Sequence, residues 1–194
     1  MHSIWLRRAL DLVLAVAISV GIASAGSKTM SYEEALVYTA APEIGHLTPD
    51  SAAEKEAIAR FSQFIAHMQA ESIAENARDV YAENAYFNDT IKELVGNEAI
   101  GAYLAESLGA TEKVEVEVVD VARSGIDYYY RWVMDIKFRN LNDGNWARSE
   151  GMSHIRFDAA GRVVLHRDYW DAAGGLFAYM PVIGSVLRWI KGRI

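Results

Sequence analysis

Between Ile126 and Phe138 the chain reads Ile126-Asp127-Tyr128-Tyr129-Tyr130-Arg131-Trp132-Val133-Met134-Asp135-Ile136-Lys137-Phe138. Tyr128, Tyr130, Trp132, Met134, Ile136 and Phe138 fall at every second position, and Tyr129, Arg131, Val133, Asp135 and Lys137 fill the places between. A period of two is the signature of a β-strand with one face in the core. On its N-terminal side, Ser124-Gly125 reads as a turn, preceded by Val114, Val116 and Val118 alternating with glutamates. On its C-terminal side, Asn142-Asp143-Gly144 is a hairpin signal. Trp146–Phe157 and Val163–Trp170 then read as two further strands around Asp158-Ala159-Ala160-Gly161.

Upstream of residue 110 the period is near 3.6. Ser51-x-x-Glu54 fits a capping box and is followed by Ile58, Phe61, Ile65 and Met68 on one helical face. A second box, Ser72-x-x-Glu75, restarts the helical pattern through Ile73, Ala77, Val80 and Tyr81. Tyr86-Phe87-Asn88-Asp89 is a short extended piece. Asn97 is the expected cap of a third helix, which carries Ile100, Tyr103, Leu104 and Leu108 and stops at Gly109. Three helices followed by four meandering strands predict an α+β fold, with the helices packed on one face of a curved antiparallel sheet. Residues 26–50 read as an extension with a short helix over Tyr32–Tyr38, lying against the domain or mobile.

The chain has 194 residues, the length of one domain with short appendages. Hydrophobic residues make up 52% and charged residues 23%, which separates it from disordered chains. Its formal charge of −7, with no basic stripe, argues against nucleic acid as a partner. The absence of cysteine excludes disulfides, Cys-ligated metal and a thiol nucleophile. No nucleotide, flavin or nicotinamide signature is present, because Gly174-Gly175 lacks the strand–turn–helix setting of a phosphate loop. No cofactor is therefore expected.

Arg7 and Arg8, an apolar run from Leu12 to Ile22, and Ala23-Ser24-Ala25 before Gly26 together describe a secretory signal peptide over residues 1–25. The competing reading is an uncleaved anchor. Between Asp11 and Lys28 lie 16 uncharged residues, fewer than the roughly 20 that cross a bilayer. Cleavage removes two arginines and one aspartate, a net +1, and leaves −8. An exported protein, periplasmic or secreted, is the expectation.

The order of elements is joined by particular residues at the junctions: Tyr81-x7-Asp89 with Gly96 and Ile100, the run Glu150-Gly151-Met152-Ser153-His154-Ile155-Arg156-Phe157, and the strand ending Val164-Leu165-His166-Arg167-Asp168-Tyr169-Trp170-Asp171. Over roughly residues 51–172 this resembles the nuclear transport factor 2-like superfamily in its SnoaL-like branch. The resemblance implies a cone-shaped (cystatin-like) fold in which a curved sheet and helices surround a deep apolar pocket. It also implies a homodimer through the open sheet face. Members include ketosteroid-isomerase-like and epoxide-hydrolase-like enzymes, polyketide cyclases and non-catalytic binding or assembly domains, so fold alone does not settle function.

Enzymes of that superfamily hold an acidic residue inside the cone, where burial raises its pKa toward neutrality. The candidates here are Asp89 and Asp168. Asp168 shares strand parity with His166 and Trp170. These three form either a polar pair at the pocket with Trp170 stacked on a flat ligand, or a strand-end hydrogen-bond set with Trp170 in the core. His154, on the neighbouring strand, joins His166 and Asp168 if the two faces meet. No metal is expected, since no H-E-x-x-H spacing occurs. Isomerase-like members use a tyrosine donor opposite the base, for which Tyr81, Tyr86, Tyr103 and Tyr130 are available. Trp132 and Met134 share the parity of Tyr130 and complete the candidate pocket lining. Arg131 and Asp135 depart from the epoxide-hydrolase motif, because Val133 stands where that motif has its second charge; they read as the solvated side of the strand.

After Leu176 the tail carries Phe177, Met180, Ile183, Val186, Leu187 and Ile190 with Arg188, Lys191 and Arg193. Its expected helix is Ser185–Arg193, with Pro181 and Gly184 as interruptions. It either docks on the domain or a dimer partner, its cations at the negative end of the helix dipole, or lies on a membrane surface. Two functions fit the whole sequence. One is a domain binding a small apolar, steroid- or polyketide-like molecule, with isomerase- or lyase-type acid/base chemistry. The other is a non-catalytic binding or assembly module.

Overall fold

The computed structural model describes residues 30–193; the signal-peptide reading falls outside them. Its elements are α1 (Tyr32–Thr39), α2 (Ala52–Ala66), α3 (Ile73–Val80), β1 (Tyr81–Asn88), β2 (Glu93–Val95), α4 (Asn97–Gly109), β3 (Thr111–Ser124), β4 (Asp127–Phe138), β5 (Trp146–Phe157), β6 (Val163–Trp170), α5 (Ala172–Gly175) and α6 (Pro181–Lys191). Six strands form one sheet in the order β2-β1-β6-β5-β4-β3. All neighbours are antiparallel except β1 and β6, which run parallel. The fold is α+β, as expected.

Two corrections concern the middle of the chain. The helical pattern continues on paper through Tyr81, but α3 ends at Val80 and the chain enters β1 directly at Tyr81, whose backbone is already extended. The short extended piece is thus the end of an eight-residue strand. Its alternation is hidden because Ala85, Tyr86 and Phe87 are all buried, one face by the core and the other by α1. Gly96, with φ at 103°, is the N-cap of α4 in place of Asn97. At that angle a Cβ is strained, so glycine is the residue that permits the turn from β2 into α4.

The caps also sort differently from the sequence reading. Ser51 accepts the Glu54 amide, yet Glu54 reaches back one residue further, to the Asp50 amide at 2.6 Å. Ser72 makes no capping bond. The complete capping box is Ser31 with Glu34, at the start of α1. Pro181 opens α6 as its first helical residue, where its missing N–H costs nothing, so the last helix starts four residues before Ser185.

The core lies between the helices and the concave face of the sheet. It joins Phe61, Phe64 and Ile65 from α2, Ile73, Ala77 and Val80 from α3, Ile100 from α4, and Tyr81, Phe87, Tyr128, Tyr130, Ile155, Phe157 and Val163 from the strands. A smaller cluster on the convex face packs Ala35 of α1 on Tyr86 and Leu165. A third, under the C-terminal tail, holds Ile136, Phe138 and Ala147 with Met134 and Tyr179 against it.

Candidate functional site

Antiparallel register places Tyr130 of β4, Ser153 of β5 and Asp168 of β6 in one row across three strands. The next row holds Tyr128, Ile155 and His166, and the one after it Trp132, Gly151 and Trp170. These rows face the core. Trp132 lies across Gly151 so closely that a Cβ there would collide with the indole ring.

A continuous hydrogen-bonded chain runs through this face. The Tyr81 hydroxyl is 2.7 Å from His166 Nδ1, and His166 Nε2 is 2.8 Å from Asp168 Oδ1. Ser153 Oγ donates to the same Oδ1 at 2.5 Å and accepts the Trp132 indole N–H at 2.9 Å. The His166 ring thus bridges the Tyr81 hydroxyl and the Asp168 carboxylate. Asp168 Oδ1 has two hydrogen-bond partners, while Oδ2 has none among the described residues. The Asp168 side chain is 17% exposed and that of His166 is 7%.

Asp89 follows β1 and is half-buried. Its Oδ1 accepts the Ile91 and Lys92 amides at 2.9 and 2.8 Å, and its Oδ2 accepts the Tyr103 hydroxyl at 2.5 Å. The Trp170 indole donates to the Asp89 carbonyl at 2.8 Å, which ties the end of β6 to the end of β1. Burial raises the Asp89 carboxyl above its ordinary value, and the charge of Asp168 adds to this; the three donors oppose the rise without cancelling it. Burial and the neighbouring Asp168 and Asp89 charges also drive the Tyr81 phenol up, and burial together with Asp89 does the same for Tyr103.

A family model for the SnoaL-like domain matches residues 55–166, from within the first turn of α2 to His166 on β6. The chain belongs to the SnoaL-like domain family. No curated protein matches it. Among solved structures, a protein from Jannaschia sp. CCS1 described as a SnoaL-like polyketide cyclase superposes with a TM-score of 0.58 at 14% identity, covering 69% of this chain and 98% of that one. A protein from Catenulispora acidiphila with a ketosteroid isomerase-like fold, in complex with trimethylamine, gives 0.54 at 14% identity over 64% and 92%. An LEH-like epoxide hydrolase of M. tuberculosis gives 0.52 at 14% identity over 66% and 89%. At these identities the likeness establishes the fold.

Not every residue singled out in the sequence reaches the concave face of this SnoaL-like domain. His154 pairs across the sheet with Arg167, so it has the opposite parity to His166 and lies on the convex side. There its Nε2 meets Asp127 at 2.6 Å, Tyr32 reaches its Nδ1 at 2.8 Å, and the Tyr129 ring stacks on it at 5.0 Å. Burial lowers the His154 pKa, partly offset by Asp127. Arg156 completes this cluster by binding Asp127, Thr39 and the Leu36 carbonyl, which fastens α1 to the sheet. Tyr86 is likewise on the convex side and donates to Glu93 at 2.7 Å. Met134 belongs to the cluster under the tail. Arg131 and Asp135 are paired with Asp120 and Arg148 outside the cone.

Sequence reasoning missed Ser153 as the link between Trp132 and Asp168. The signal was its alternation with His154, but only the β5–β6 register shows which of the two faces Asp168. Two clefts lie elsewhere. One of about 530 Å³ is bordered by Arg139–Gly144, Tyr179, Pro181 and Arg188, and one of about 250 Å³ by Tyr38, Glu43, Ala82 and Val164. Both are open to solvent, neither borders Asp89 or Asp168, and neither gathers convergent acid/base groups, so we place the candidate site at the carboxylates.

Proposed function

We propose that this domain binds a small apolar molecule of steroid- or polyketide-like chemistry in its cone and performs acid/base proton transfer on it, with Asp168 as the base and Tyr130 as the opposing donor. The observation that carries the reading is the half-used carboxylate: Oδ1 is fixed by Ser153 and His166, and Oδ2 is left to act. Three of the four tyrosines are committed, Tyr81 to His166, Tyr86 to Glu93 and Tyr103 to Asp89. The buried Tyr130 hydroxyl has no hydrogen-bond partner among the described residues. Tyr130 and Asp168 stand two strands apart in one row, about 10 Å between backbones at ordinary strand spacing.

In this mechanism Oδ2 takes a proton from a carbon next to a carbonyl, and the neutral acid returns it elsewhere on the same molecule. Ser153 and His166 keep the carboxylate oriented in both states. Tyr130 donates to the oxygen on which negative charge develops.

Native mass spectrometry of the protein purified from its own host, followed by denaturing extraction, identifies any bound molecule. With that scaffold as substrate, Asp168→Asn is expected to lose about 10²- to 10⁴-fold in turnover with binding retained, and Tyr130→Phe a smaller part. Equal turnover by Asp168→Asn and the parent overturns the assignment.

The second reading, a non-catalytic binding or assembly module acting through a dimer or a protein partner, is favoured by the filling of the cone. The Phe61 ring lies 5.0 Å from that of Tyr130 and 5.4 Å from that of His166. An empty, ligand-free protein from the native host supports it. Export is part of the main proposal and rests on residues 1–25 alone; N-terminal sequencing of the host-derived protein is expected to begin at Gly26.

A further inference from the structure

Helix α6 is attached by the wrong side for a helix whose apolar face joins a core. Around its axis Trp189, Val182, Val186, Ile190, Ile183 and Leu187 follow one another in a continuous apolar arc, and Lys191, Gly184, Arg188, Pro181 and Ser185 make up the remainder. The helix meets the body through Gly184, with Leu187 half-buried beside it, while Ser185, Arg188 and Lys191 are exposed. Gly184 is buried, with its position closed off by the Ala178 carbonyl, and Arg188 donates to that same carbonyl. The apolar arc faces outward: Val182 is 65% exposed, Val186 52% and Trp189 58%.

Charge indicates what covers this arc. From Ala172 onward the chain has three cations, Arg188, Lys191 and Arg193, and no acidic residue, although its formal charge is −7. A second copy of the helix would bring no acidic residue to these cations. An anionic lipid surface supplies the counter-charge and accepts the apolar side chains together. Trp189, with the Arg193 guanidinium 4.1 Å above its ring, has the amphipathic character of residues at the headgroup level. Eleven residues make a helix of about 16 Å, too short to cross the hydrocarbon and suited to lying in the interface. Among the described residues no helix is long and apolar enough to cross a membrane.

We propose that α6 docks the domain peripherally on an anionic lipid bilayer, apolar arc inward and Lys191 and Arg193 toward the headgroups. This is independent of the chemistry assigned to the cone.

The test is co-sedimentation of the full chain with phosphatidylglycerol/phosphatidylcholine vesicles and with pure phosphatidylcholine vesicles. The expected result is binding to the former, weakened by salt, and a drop of at least about tenfold in the Val186→Glu/Trp189→Glu double variant. Both replaced side chains are exposed, and circular dichroism checks that the variant is folded. In the parent, the blue shift of tryptophan emission on vesicle addition is expected to vanish in Trp189→Phe. Equal binding by parent and double variant assigns any attachment to another segment, such as Leu12–Ile22, and overturns the proposal. So does absence of binding by the parent, or a lipid-independent dimer seen by light scattering that the double variant dissociates.

Discussion

Phe61→Ala is expected to be the most destabilising single truncation in the domain, at about 3–5 kcal/mol. Phe61 is 1% exposed and sits where α2 meets the sheet. Its ring contacts those of Phe64, Tyr81, Tyr130, Phe157 and His166, four of the five edge-on. No neighbour can relax into the space without giving up its own place, because Tyr81 and His166 are fixed by their hydrogen bond and Tyr130 and Phe157 by adjoining strands. The cavity term is therefore paid nearly in full. For a chain of this size the change corresponds to a fall of about 10 °C or more in Tm, measurable by thermal denaturation. Phe61→Leu, which keeps most of the apolar volume, is expected to lose much less. Equal melting of Phe61→Ala and the parent would show that the interior is loosely packed.

Glu54→Ala is expected to cost about 2–4 kcal/mol. Glu54 is 4% exposed on α2, yet it is held by the Tyr128 hydroxyl at 2.7 Å, the Asp50 amide at 2.6 Å and Arg123 at 3.2 Å. Truncation leaves the Tyr128 hydroxyl and the Asp50 amide without their acceptor. Burial raises the Glu54 carboxyl, but the Tyr128, Asp50 and Arg123 interactions outweigh it and hold the group below 4.5. A depressed carboxylate contributes stability that is present above its unfolded value and is lost as pH falls through the folded one.

Asp127, lowered by Arg156 and His154 against its burial, acts in the same direction, and so does His154, which is more easily protonated once unfolded. Asp89 acts the opposite way, because its raised pKa makes the folded state the better proton binder above the ordinary carboxylate value. Denaturant unfolding at a series of pH values is expected to show the parent losing stability from about pH 6.5 downward through His154, and more steeply below about pH 4.5 through Glu54 and Asp127. Glu54→Gln is expected to lose less over the same interval. An identical acid limb in the two proteins would place the protonation-linked loss on other groups.

Asp127–Phe138 was legible in the sequence because its large apolar residues fall at every second position. Trp146–Phe157 and Val163–Trp170 stand where the pattern put them, and the shared parity of His166 and Asp168 became a hydrogen bond between them. β1 was legible only at its end. Both of its faces are covered, by the core and by α1, so no alternation marks it. Met134 has the parity of Tyr130 but lies four residues further along a curved strand, beyond the cone and beneath the tail.

The sequence by itself determined the element types and the candidate carboxylates, because periodicity and residue chemistry are local properties of the chain. Only the tertiary structure decided which residues meet. Register across β4, β5 and β6 brought Ser153 to Asp168 and sent His154 to the convex face, since neighbouring residues on a strand point in opposite directions and a single-position shift exchanges them. It also decided that Tyr130 keeps a hydroxyl unpartnered among the described residues while Tyr81, Tyr86 and Tyr103 are bonded, and that α6 turns its apolar arc outward. Those outcomes depend on pairings between segments far apart in the chain, to which no local pattern responds.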